Sequence, residues 1–118
     1  MDSQKSVADL KVWVKEFCED RDWDQYHGPH HLAVGIVTEA AELLDLFRFY
    51  EGEGAVKVLE KKRPEVEEEI ADAFFFLLRF AQFYDIDLSA ALERKMAKND
   101  AKYPVEKAKG SNRKYHEL

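Results

Sequence analysis

The chain has 118 residues, enough for one domain that buries roughly two-thirds of the surface its unfolded form exposes. Hydrophobic residues make up 46% and charged residues 36%, a globular composition that excludes a disordered chain. The formal charge of −6 argues against a nucleic-acid polymer as partner, since duplex binding needs clustered Lys and Arg, and no run approaches the ~18 apolar residues of a membrane span.

A single cysteine, Cys18, excludes an internal disulfide framework and fits a packed thiol in a reducing compartment. The acidic, polar N-terminal residues lack the apolar region of a signal peptide, so the expected location is cytoplasmic. Three prolines and five glycines are few and sit mostly near expected helix ends, the distribution of a helical bundle.

Val7, Leu10, Val14 and Phe17 recur every three to four residues, which predicts an amphipathic helix over residues 4–20 with Ser3 or Ser6 as its N-cap. The following segment, RDWDQYHGP, reads as a loop dense in rings, with Trp23, Tyr26 and His27 able to stack on a base or hydrogen-bond to it. A second helix is expected from about His30 to Tyr50, ended by EGEGA, and VKVLEKKR adds one or two further turns. Pro64 opens a long helix to about Tyr84; Asp87 or Ser89 caps the next, which reaches Tyr103 and stops at Pro104. VEKAKGSNRKYHEL is basic and polar with little periodicity, and composition alone makes it a frayed tail.

Winding the second helix at 100° per residue sets Leu32, Ile36, Leu43, Leu46 and Phe47 on one apolar arc. Glu39 falls inside that arc and Glu42 at its edge, whereas Asp45 points away. On the long helix Glu69 and Asp72 lie among Phe76, Phe80 and Phe83, with Ile70, Phe74, Leu77 and Ala81 covering a second side. A helix apolar around most of its girth belongs in a bundle centre or a subunit interface, where four ionised carboxylates require positive charge between them. Arg79 is the nearest cation, so a divalent metal is the simplest compensation, and all-oxygen ligation favours Mg²⁺ or Mn²⁺. Taken singly, each ExxE or ExxD pair also reads as a solvated helix face; two pairs interrupting two apolar arcs carry the metal reading. A carboxylate-bridged di-iron bundle would want Glu-x-x-His, and no histidine follows Glu39 or Glu69 at that spacing.

EAAE at 39–42 and EIAD at 69–72 resemble the ExxE…ExxD motif of the MazG-like, all-α nucleoside triphosphate pyrophosphohydrolases. RDWDQYH at 21–27, KMAKNDAKYP at 95–104 and SNRKY at 111–115 resemble segments of the family's dCTP pyrophosphatase branch, in the same order. The resemblance implies an all-α bundle of four to five helices, with a core four-helix arrangement completed by oligomerisation to a homodimer or homotetramer. It implies a domain over residues 1–110 and a basic tail over residues 111–118 that closes on substrate. It further implies Mg²⁺-dependent cleavage of a (deoxy)nucleoside triphosphate, dCTP or a related or modified dNTP, to the monophosphate and pyrophosphate in nucleotide-pool house-cleaning.

By the same resemblance Glu39, Glu42, Glu69 and Asp72 bind the metal, and either Glu39 or Glu42 is the general base. Trp23, His27, His31, Phe49 and Phe76 fall to the base pocket, and Lys95, Asn99, Lys102, Tyr103, Arg113, Lys114 and Tyr115 to the phosphates. Phe49, Phe76 and His31 stand where that branch carries Trp, Tyr and Asn, which leaves base preference open. The alternative function is a non-catalytic helical interaction module whose acidic faces meet a basic partner.

Overall fold

The computed structural model describes all 118 residues and contains helices and turns but no strand. It divides into two compact units, residues 1–85 and residues 86–118.

In the first unit, α1 (Val7–Asp20) begins at a reciprocal cap, predicted at Ser3 or Ser6 and formed by Ser6. The Ser6 hydroxyl accepts from the Asp9 N–H at 3.1 Å while the Asp9 carboxylate accepts from the Ser6 N–H at 2.9 Å. At its other end Asp22 adopts φ 55°, and the N–H groups of Asp22 and Trp23 return to the carbonyls of Glu19 and Cys18. That Schellman turn satisfies the last carbonyls of α1 and swings the chain into the ring-bearing loop, itself wound into a short 3₁₀ turn at Asp24–Tyr26.

Helix α2 (Pro29–Phe47) starts with proline in its first turn, where the missing N–H costs nothing. Tyr50 and Glu51 break it from α3 (Gly52–Lys61), and α4 (Arg63–Phe83) follows, again with proline in the first turn. The expected boundaries of the two long helices hold to within a turn, and the segment expected to add one or two turns forms the ten-residue α3.

Helix α4 is the axis of this unit: α1, α2 and α3 all pack on it, α2 most extensively. The packed centre is made by Cys18 and Leu32, each fully buried, with Val66, Leu78 and Ala81. Burying a side chain of Leu32's size stabilises by roughly 1.5–3 kcal/mol. Ala81, expected on the second apolar side of α4, lies in this core, whereas Ile70, Phe74 and Leu77 stay 41–50% exposed. No helix is long and apolar enough to cross a membrane.

In the second unit Asp87 caps α5 (Leu88–Lys102), its carboxylate accepting from the Ala90 N–H at 2.9 Å. Pro104 ends α5 and supplies the cap of a one-turn α6 (Val105–Ala108); a 3₁₀ turn closes the chain at Tyr115–Glu117. Six α-helices therefore form where four to five were expected, because the polar segment after Pro104 makes local turns without needing an apolar face.

Candidate metal and ring-binding site

Glu39 and Glu42 on α2 and Glu69 and Asp72 on α4 each bring a carboxylate oxygen to within 4.8 Å of the others. The cause is local: the three-residue spacing within each pair sets both carboxylates on one side of its helix, and the two sides face across the α2–α4 seam. Glu39 Oε2 and Glu69 Oε2 are buried and have no hydrogen-bond partner in the protein. Burial pushes both carboxyls above the usual range, and a shared hydrogen bond with Glu42 and repulsion from Glu42 and Asp72 push the same way. Two orphaned oxygens in a cluster of hard anionic donors fit an oxygen-seeking divalent cation.

Further along the seam lies a pocket of about 410 Å³ lined by Trp23, Tyr26, His27, His31, Phe75 and Phe76. On α2, His31, Gly35 and Glu39 follow one another at four-residue intervals, and on α4 Phe76 stands one turn beyond Asp72. The pocket and the cage thus share both helices, with His31 and Glu39 about 12 Å apart along α2 at 1.5 Å per residue. Gly35 sits between them because nothing larger fits: a Cβ there would lie 2.6 Å from the Phe76 ring. Phe76 occupies that space, and its ring meets Phe75 edge-on at 5.3 Å. The edge contacts continue from Phe75 to Phe17 and from Phe17 to Trp23, and His27 stacks on His31 with 18° between planes.

The loop bearing Trp23 and His27 is fastened to α4 through Arg79, a charged side chain only 1% exposed. Arg79 Nε donates to His27 Nδ1 at 2.8 Å, Nη1 to Gln82 at 2.7 Å, and Nη2 to the Asp24 carboxylate, while its guanidinium lies 4.5 Å from the Phe83 ring centre. The Tyr84 hydroxyl donates to the His27 carbonyl at 3.0 Å. Burial, followed by the Arg79 and His31 charges, holds the His27 imidazole below its ordinary value, with Asp24 pulling the other way. Burial raises the Cys18 thiol, in keeping with a packed rather than a nucleophilic cysteine.

Of the residues assigned to the base pocket from sequence, Trp23, His27, His31 and Phe76 line one cavity together. Phe49 does not line it: it follows the end of α2, 83% exposed, with Arg48 over its ring at 5.3 Å. In the second unit Lys95, Asn99 and Lys102 follow one side of α5, Lys102 lies over the Tyr115 ring at 4.8 Å, and Tyr103 meets that ring edge-on. Arg113 lines an open hollow with Lys107 and Asn112, and Lys114 is exposed beside it. Sequence reasoning missed Phe75, Gly35 and the Arg79–Asp24–His27 network; only Gly35 carried a signal, as a helix-weakening residue at mid-helix.

The MazG-like family profile matches residues 34–118, which include all four carboxylates. The chain is 34% identical to dCTP pyrophosphatase 1 of Homo sapiens over 117 residues, 98% of this chain and 69% of that protein. Against dCTP pyrophosphatase 1 of Bos taurus it is 33% identical, covering 98% of this chain and 70% of that one. Among solved structures, a pyrophosphatase from Archaeoglobus fulgidus superposes with a TM-score of 0.78 at 43% identity, over 80% of this chain and 89% of its own.

Proposed function

The chain belongs to the MazG-like family and is a nucleoside triphosphate pyrophosphohydrolase, and we propose that it cleaves dCTP or a related or modified deoxynucleoside triphosphate between its α and β phosphates, in a divalent-metal-dependent reaction. The observation that carries the proposal is the seam: a four-carboxylate cage and an aromatic pocket on the same two helices, one to two turns apart. A ligand with a flat ring at one end and a phosphate chain at the other spans that interval.

In this reading Glu39, Glu42, Glu69 and Asp72 hold Mg²⁺, or Mn²⁺ in its place. A metal held there would supply Lewis-acid charge to offset the phosphates and to activate water. Either Glu39 or Glu42 takes the proton from the attacking water, both being carboxylates of the cage. Trp23, His27, His31 and Phe76 sandwich and orient the ring, and Phe49, outside this cavity, is a further stacking residue of the proposal. Lys95, Asn99, Lys102, Tyr103, Arg113, Lys114 and Tyr115 neutralise the phosphates, with residues 111–118 as the segment that closes over them.

A homodimer or homotetramer is part of the proposal. Val37 and Leu44 on α2 are 68% and 61% exposed, and Ile70, Phe74 and Leu77 on α4 lie open as well, an apolar surface in want of a partner copy.

The test is product analysis of a dNTP panel with Mg²⁺ or Mn²⁺. Stoichiometric monophosphate and pyrophosphate from dCTP or a modified pyrimidine triphosphate is the expected outcome; orthophosphate, or no turnover of any triphosphate, overturns it.

A further inference from the structure

A neutral imidazole has one nitrogen that donates and one that accepts, and its neighbours decide which. His27 is 5% exposed, lines the ring pocket, and receives at Nδ1 the Nε–H of Arg79 at 2.8 Å. A guanidinium has five N–H groups and no acceptor, so the nitrogen it faces must keep its lone pair. The proton of the ring then belongs to Nε2, and any polar contact His27 makes with a pocket occupant is a donation from that nitrogen.

We propose that Arg79 is a positioning residue for specificity: it holds His27 in the tautomer protonated on Nε2, so that the pocket offers a donor and selects rings whose edge presents an acceptor. Arg79 can do this because it is itself held. Asp24, three residues before His27 on the same 3₁₀ turn, accepts from Nη2; Gln82, three residues further along α4, accepts from Nη1. The Tyr84 hydroxyl fixes the His27 backbone, and the stacked His31 ring limits rotation of the imidazole. Four groups on α2, α4, the 3₁₀ turn and the residue after α4 therefore fix one ring orientation. Burial and the adjacent Arg79 charge disfavour the doubly protonated ring, which would aim an N–H at a cation; Asp24 opposes this and His31 adds to it.

The inference rests on the proposed nucleotide-hydrolysing function only for the identity of the ring, and the experiment separates the two. Long-range ¹H–¹⁵N correlation on the full-length wild-type protein reads the tautomer with no ligand added. His27 with an unprotonated Nδ1 and a protonated Nε2 at neutral pH is expected; a protonated Nδ1, or an imidazolium, overturns the proposal whether or not any triphosphate is hydrolysed. In Arg79→Met the same spectrum should show a mixture of tautomers, and Arg79→Gln, whose amide can either donate or accept, serves if the methionine variant does not fold. Retention of the single Nε2–H form in the folded variant counts against Arg79 as its cause.

The specificity arm measures turnover of dCTP and of analogues in which each base acceptor is replaced in turn by C–H. Loss of one acceptor should raise KM about tenfold with kcat little changed, the size of one neutral hydrogen bond. That penalty should vanish in His27→Phe, and equal KM for every analogue in the wild type would overturn the assignment.

Discussion

Glu69 keeps one carboxylate oxygen buried and unpartnered beside Glu42, Asp72 and Glu39, so the metal-free protein at neutral pH folds against that repulsion. Glu69→Gln should therefore raise the melting temperature of the metal-free protein while abolishing its response to Mg²⁺. In the wild type, Mg²⁺ at a hundredfold excess over its Kd should stabilise by about 2.7 kcal/mol, read by thermal shift. Glu42→Gln should remain folded and lose turnover, whether as lost ligand or lost base. These four positions were legible in the sequence because a carboxylate inside an apolar arc is conspicuous once the helix is wound. Arg79 was not legible in its true role: its partners lie 52 and 55 residues away, and periodicity along one helix contains no information about them.

His27 gives the residue-scale pH dependence. Its folded-state value is depressed below the ordinary imidazole value of about 6.5, so the folded protein resists a proton that the unfolded chain accepts. The stabilisation is present above that value and is lost as pH falls through it toward the folded-state value. Urea midpoints taken from pH 8 to pH 5 should fall in the wild type more steeply than in His27→Gln, and parallel curves would contradict the assignment.

At the scale of elements, the α2–α4 pairing is set by contact between a missing side chain and a ring. Gly35→Ala would drive a methyl into Phe76, and overpacking of that kind costs roughly 1–3 kcal/mol. Because Phe76 also lines the ring pocket, the variant should lose substrate affinity together with stability, measurable as a raised KM and a lowered urea midpoint. The cap of α1 is an independent element: Ser6→Ala should cost about 1 kcal/mol without altering KM, since only helix termination is affected. Caps and proline starts were readable from sequence because they are decided within four residues. The Schellman exit at Asp22 and the turns after Pro104 were not, since an aspartate at positive φ and short polar turns leave no periodic mark.

For the whole molecule, the two long helices place more apolar surface outward than one chain covers. Val37, Leu44, Ile70, Phe74 and Leu77 are all at least 41% exposed, beyond what a stable monomer of this size ordinarily leaves open on two neighbouring helices. Light scattering behind size exclusion should return a mass of two or four copies, and the double substitution Val37→Asp, Leu44→Asp should shift it to one copy with helical content retained. The all-α class was legible from glycine and proline placement, while the division between residues 85 and 86 was not, because Asp85 to Asp87 reads as an ordinary interhelical turn.

The seam between cage and pocket also determines which heritable changes this chain can accept. His31, Gly35 and Glu39 face one way only because four-residue steps nearly close a turn, and a single residue inserted among them rotates everything beyond by about 100°. Point substitution can retune the pocket from His31 or Phe76 while the cage stays in phase. Insertion or deletion between residues 31 and 39, or between 69 and 76, cannot, whereas the break at Tyr50 and Glu51 has no phase to keep. Lineages of this enzyme are thus expected to diverge in ring preference by replacement alone, with changes of length confined to the joints between helices.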